Sequence, residues 1–200
     1  PTSFVFYEGG GIVVHSGRME RLKDTNGDDR ADARETLITG WGTQDTHATV
    51  SNLRYGFDNW IWGVVGYSGF RGTVGGKELR FSQGFFRFKP DGSELEFIRS
   101  SNNNTWGLDF TDENIVIGST ANGNASMYMP IPNRYYEAVN GWSAARLESI
   151  ASSQNFYPIT EKVRQVDWHG KYTAGSGSAL YTARSFPKPF WNRAQFVAEP

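Results

Sequence analysis

Short apolar runs alternate with breaks rich in Gly, Asp and Asn along the whole chain, and one unit recurs: an apolar strand, a turn, then a second strand rich in β-branched residues. It runs from Phe4 to Val14, from Leu53 to Trp62 and from Leu108 to Ile117, with a looser copy from Val166 through Gly170 to Thr182. The copies start roughly 50 to 55 residues apart, close to the spacing of four-stranded propeller blades. The second copy predicts a whole blade. Leu53 to Tyr55 forms the inner strand, Trp60 to Val65 the next, Gly84 to Lys89 the third and Leu95 to Arg99 the outer one. Between the last two, Pro90-Asp91-Gly92 is a hairpin signal, because Pro fixes φ and Gly takes the left-handed position. A β-sandwich also has short strands and frequent turns; the repeated inner strand favours an all-β, β-propeller fold of about four blades, part of a larger propeller.

Two stretches depart from strand character. Lys77 to Gln83 reads as part of a long Gly-rich loop inside the second blade. Residues 133–153 read as an insertion, with a short helix expected over Trp142 to Ile150 from its apolar spacing. Residue 1 is Pro and both ends stop in strand-like sequence, so a segment of a longer chain is expected.

Composition sharpens the fold class. The chain has 200 residues with 15% aromatics and 23 Gly, which suits pleated surfaces and tight turns and excludes disorder. Twenty Lys and Arg against 21 Asp and Glu give a net charge of -1, unlike the basic surplus of a nucleic-acid binder. The longest apolar runs are far too short for a transmembrane helix. Without Cys, the chain has no disulfide, thiolate metal site, thiol nucleophile or C-x-x-C-H haem attachment of its own.

The most specific short motif is acidic. Counting Asp24 as one, side-chain oxygens fall at positions 1, 3, 5, 9 and 12, on Asp24, Asn26, Asp28, Asp32 and Glu35. That is the spacing of a calcium loop, with the Arg30 carbonyl at position seven, because Ca²⁺ takes six to eight oxygens. Position six, where Gly makes the sharp turn, is Asp29. The flanks, Met19 to Lys23 and Arg34 to Ile38, read as strands rather than EF-hand helices. The alternative is a self-hydrogen-bonded acidic turn between two blade strands.

His47 lies in a polar loop entering the second inner strand, where propellers place ligands near their axis. With Asp45 close by it is a candidate general base, set against a turn histidine bonded to backbone. Asp167 and His169 repeat the theme in the fourth copy. Asn104 and Trp106 precede the third inner strand, where an amide and an indole can orient and stack on a sugar or planar cofactor; blade-to-blade packing is the alternative. His15, inside a strand, reads as structural. Asn103 and Asn124 head glycosylation-type triplets, and the partial glycine motif from Gly175 to Leu180 precedes no helix, so it is not a dinucleotide site.

Several separated blocks carry a more distinctive signal: Leu22 to Asp32, Asp45 to His47, Ser51 to Gly63, Val166 to Gly170, Ala179 to Pro187, Phe190 to Arg193 and Phe196 to Pro200. Together they resemble the N-terminal propeller of the PVC-type haem-binding proteins, also described as membrane-bound dehydrogenases. The likeness covers nearly the whole chain and is weakest over 133–153. It implies a propeller similar to those of soluble quinoprotein glucose and sorbosone dehydrogenases, which use pyrroloquinoline quinone and calcium. It also implies export to the periplasm or beyond, and a c-type cytochrome domain or subunit as partner carrying haem c. By the same likeness His47 stands near the base that takes a sugar hydroxyl proton, with its spacing to Leu53 one residue longer. The resemblance assigns no basic residues to the quinone. The resulting expectation is a propeller domain of a dehydrogenase oxidising a sugar-like alcohol; the alternative is a non-catalytic propeller binding carbohydrate or a partner subunit.

Overall fold

In a computed structural model the chain folds as several antiparallel sheets, and residues 1–155, 157–159, 161 and 170–199 are described. The first sheet is a meander of β1 (Ser3–Tyr7), β2 (Gly10–His15), β3 (Arg18–Lys23) and β4 (Ala33–Thr39). Its two tight turns place Glu8-Gly9 and Ser16-Gly17 at positive φ, the conformation that matches the twist of the flanking strands. The second sheet contains β5 (Val50–Tyr55) and β6 (Ile61–Val65). The chain then makes a separate hairpin, β7 (Phe70–Val74) and β8 (Lys77–Phe81), and returns as β9 (Gly84–Phe88) and β10 (Leu95–Ser100). The order β10-β9-β6-β5 is the blade expected from the second copy. β11 (Thr105–Phe110), β12 (Val116–Thr120) and β13 (Met127–Tyr128) make a third sheet; β14 (Ser176–Leu180) and β15 (Gln195–Ala198) pair beyond it.

Alternation decides how the sheets stack. On β6 and β9 the register pairs Ile61 with Phe88, Gly63 with Phe86 and Val64 with Phe85, so odd and even positions line opposite faces. One face sends Ile61, Val65, Phe86 and Phe88 into a core shared with Ile12, Val14, Met19 and Ile38 of the first sheet. The other sends Trp62, Val64, Phe85 and Ile98 into a second core with Leu108, Val116 and Met127 of the third. The second sheet is therefore apolar on both faces and sandwiched between its neighbours.

Strands β1, β5, β11 and β14 also lie side by side and run in the same sense. Ser3 Oγ accepts from the Leu53 amide at 2.9 Å, and the Tyr55 hydroxyl donates to the Phe6 carbonyl at 2.9 Å. Asn52 Nδ2 donates to the Trp106 carbonyl at 2.8 Å. Asp109 accepts from Arg54 of β5 and, at 2.7 Å, from the Leu180 amide of β14. The ladders of β5, β11 and β14 each carry a register shift, at Ser51/Arg54, Thr105/Gly107 and Ser176/Ala179.

Two expectations are corrected. Lys77 to Gln83 is not a loop: Lys77–Phe81 is β8, closed onto β7 by Gly75-Gly76, both at positive φ. The helix of the 133–153 segment is α1 (Asn133–Glu137), while Trp142 to Ile150 has no helical turn. Its backbone groups are taken from outside. Arg99 donates to the Ala145 carbonyl at 2.5 Å, Asn124 Nδ2 to the Leu147 carbonyl at 3.3 Å, and the Ile150 amide donates to the Ser126 carbonyl at 2.8 Å. The strand beside β11 is β14, in the stretch expected as the second strand of the fourth copy; the first strand expected around Val166 to Gly170 lies mostly outside the described residues. Among the described residues no helix is long and apolar enough to cross a membrane.

Candidate functional site

The meander topology assigns each connection to one of two ends of the sheets. At one end lie the Ser16-Gly17 turn, the β4–β5 link with His47, the turn after β6 with Tyr67, and the β10–β11 link with Asn104. At the other lie the Glu8-Gly9 turn and the acidic loop between β3 and β4.

His47 sits in a single 3₁₀ turn, Thr46–Ala48, capped by Asp45, whose carboxylate accepts the His47 amide at 2.8 Å. The His47 carbonyl accepts two side chains from the third sheet, Asn104 Nδ2 at 2.8 Å and Trp106 Nε1 at 2.5 Å. Three residues singled out from the sequence are thus brought together across 57 and 59 positions of chain. The imidazole itself is 89% exposed, with Nδ1 3.5 Å from Asp45 Oδ1. An exposed imidazole is held on a locked backbone.

Sequence reasoning missed Tyr67 and Gly66. The Tyr67 hydroxyl donates to Asp45 Oδ2, which holds the Asp45 carboxyl below its usual range, helped by the His47 amide. Gly66 faces the 3₁₀ turn so closely that a Cβ there would lie 1.8 Å from Asn104 Oδ1 and 2.7 Å from Ala48 Cα. Beside the turn, a depression of about 360 Å³ is lined by Thr2, His15, Trp41, Thr43, Thr46 and Thr49 among others. His15, which also lines this depression, has its Nε2 bonded to Glu20 at 2.7 Å.

The residues expected at a sugar or planar cofactor are only partly described. Asn104 and Trp106 spend their N–H donors on the His47 carbonyl, and Asp167 and His169 lie outside the described residues.

The acidic loop is a chain of Asx turns. Asp24 accepts the amides of Asn26, Gly27 and Asp29 at 3.0, 2.7 and 2.8 Å, Asn26 accepts that of Asp28 at 3.0 Å, and Asp28 that of Arg30 at 2.9 Å. Asp32 accepts the Thr25 amide and hydroxyl at 2.8 and 2.7 Å. Asp29, at position six, takes φ +64 in place of Gly. Glu35 leans toward Arg21, 3.9 Å away, across the β3–β4 ladder. Among the described residues no group of three or more His, Asp or Glu side chains is gathered so that it could hold a metal ion. The loop oxygens serve the loop's own amides.

Those bonds have a pH signature. The Gly27 amide first, then those of Asp29 and Asn26, hold Asp24 below the usual carboxylate range, and the Thr25 hydroxyl and amide do the same for Asp32. A carboxyl whose folded pKa is depressed adds stability that is fully present above its unfolded value, about 3.9, and is lost as pH falls through the folded one. Asp24→Asn is therefore expected to flatten the acid limb of the stability curve below about pH 4. Urea titrations at several acidic pH values check this; an unchanged limb would remove the loop from the acid response.

The chain belongs to the family described as a domain of unknown function, DUF7133, whose profile matches residues 1–200. No curated protein and no solved structure matches it.

Proposed function

We propose that this chain is part of a β-propeller in an exported dehydrogenase, and that its His47 end receives a sugar-like alcohol whose hydroxyl proton His47 takes. The observation that carries the reading is the 89% exposed imidazole beside a carboxylate, on a turn fastened by Asp45, Asn104 and Trp106. A general base must reach its proton and have its orientation fixed; such a group contributes typically about 10²–10⁴-fold. Threonine hydroxyls in the neighbouring depression suit a hydroxyl-bearing ligand. Sheets stacked face to face, with β1, β5, β11 and β14 side by side, support the propeller. The open face of the first sheet, with Phe4 and Phe6 exposed, suits a further blade.

Alcohol oxidation also needs an acceptor for two electrons and the carbon-bound hydrogen, which a quinone would supply, with a c-type cytochrome beyond it. The acidic loop lies at the far end of the first sheet, away from a ligand at His47. A second reading is favoured by the donors of Asn104 and Trp106 being spent on backbone: a non-catalytic propeller binding carbohydrate or a partner subunit at the same end.

His47→Ala in the full-length protein separates them. The exposed side chain predicts a stability change within about 0.5 kcal/mol, while alcohol-dependent turnover falls by about 10²-fold or more. Turnover unchanged by the substitution would overturn the assignment of His47; no turnover in the parent, with sugar binding retained, would leave the binding module standing.

A further inference from the structure

We propose that Tyr67 is the positioning residue of the His47 site: by pinning the Asp45 carboxylate it makes His47 carry its proton on Nδ1 and offer Nε2 as the free lone pair. The purpose of this arrangement rests on the reading of His47 as a proton acceptor; the arrangement itself rests on geometry.

Asp45 is held at both oxygens. Oδ1 accepts the His47 amide at 2.8 Å and stands 3.5 Å from Nδ1, while Oδ2 accepts the Tyr67 hydroxyl. An ionised carboxylate only accepts, so at 3.5 Å it favours hydrogen on the ring nitrogen that faces it. Nε2 is then left with its lone pair on the exposed side of the ring, the tautomer a base needs toward an external hydroxyl. With Oδ2 unanchored, the His47 amide alone holds the carboxylate, and its plane can turn about that bond away from Nδ1.

Tyr67 is itself placed with care. Its turn is zipped to the His47 turn by the Gly66 amide on the Thr49 carbonyl at 3.3 Å, the Ser68 amide on the Ala48 carbonyl at 3.1 Å, and Ser68 Oγ on the Asp45 carbonyl at 3.1 Å. The close seat of Gly66 against Ala48 and Asn104 permits that approach. The bond to Asp45 also holds the Tyr67 phenol above its ordinary range, so it stays a donor across neutral pH.

The test is the tautomer, read from imidazole ¹⁵N shifts of the labelled chain at a pH where the ring is neutral. The parent is expected to show mainly Nδ1–H at His47. Tyr67→Phe should move the population toward Nε2–H while the backbone spectrum elsewhere is kept. Asp45→Ser, which retains a capping oxygen but has no second one for Tyr67, should do the same, and the double variant should shift no further than either single one. A parent that is mainly Nε2–H, or a Tyr67→Phe spectrum identical to the parent's, overturns the proposal. In the full-length protein Tyr67→Phe should lower kcat about tenfold with KM unchanged, as expected when a base is misoriented and substrate binding stays intact. If no turnover exists to measure, the dehydrogenase reading fails while the tautomer result still decides this one.

Discussion

Trp41→Ala is expected to cost about 3–5 kcal/mol, the range for truncating a large buried aromatic. Trp41 is 4% exposed and stands where the chain leaves the first sheet for the link that carries His47. Its ring lies 4.7 Å from that of Phe70, 4.6 Å from Phe86 and 6.0 Å from Phe81, joining the hairpin β7–β8 to the second sheet. Its backbone amide donates to the Gly17 carbonyl at 3.2 Å, so one residue ties the first sheet, the hairpin and the link together. Trp41→Phe is expected to cost less than half as much. The indole Nε1 is buried with no hydrogen-bond partner among the described residues, so its removal strands no acceptor and lifts a desolvation penalty. Urea unfolding of both variants checks the contrast, and amide exchange over residues 42–49 reads the expected loosening of the link. Equal costs would mean that the indole nitrogen has a partner after all; a loss under about 1 kcal/mol for Ala would mean that the site collapses without a cavity.

How much of this was legible in the sequence depends on which contacts fix each element. The second sheet could be read from the chain because local patterning and core packing agree there: the apolar runs Gly84–Phe88 and Leu95–Ser100 flank the Pro90-Asp91-Gly92 turn and pair as a hairpin, with one bulge between Phe97 and Arg99. The hairpin Phe70–Val74 with Lys77–Phe81 escaped because its glycines read as loop, although Gly75-Gly76 closes a turn and Phe70, Val74, Leu79 and Phe81 join the core. Apolar spacing over Trp142 to Ile150 misled for the opposite reason. Only Leu147 of its apolar side chains is buried, Trp142 and Ile150 stay exposed, and distant side chains claim the carbonyls that a helix would have used. At the site, His47, Asn104 and Trp106 were each visible as residue types beside an inner strand, whereas their meeting is a product of neighbouring sheets. Tyr67 carried no sequence signal beyond its place in a Gly-Tyr-Ser-Gly turn. The propeller itself remains the proposal that the stacking supports.

Asp109→Ala tests that stacking most directly, and a loss of about 2–3 kcal/mol is expected. Asp109 lies on β11 between β5 and β14 and serves both: Oδ1 takes the Arg54 guanidinium from β5, and Oδ2 takes the Leu180 amide of β14 at 2.7 Å. Oδ1 also accepts the Phe110 amide at 2.9 Å. The Asp109 side chain is 18% exposed and that of Arg54 34%, so the pair is only partly screened by water. Truncation leaves a half-buried guanidinium and a strand amide without this acceptor, and an orphaned buried donor costs about 1–3 kcal/mol, with charged groups at the upper end. Asp109→Asn should recover part of the loss, since its amide oxygen can serve the Leu180 amide while the charge on Arg54 goes unanswered. Hydrogen exchange then locates the damage. If these strands are joined laterally as described, protection falls on β14 and around Arg54 together, while the hairpin β7–β8 keeps its own. Loss confined to β11 would mean that Asp109 supports only its own strand. The side-by-side packing, and with it the case for a propeller, would then rest on the two apolar cores and on the bonds that Ser3, Asn52 and Tyr55 make between neighbouring strands.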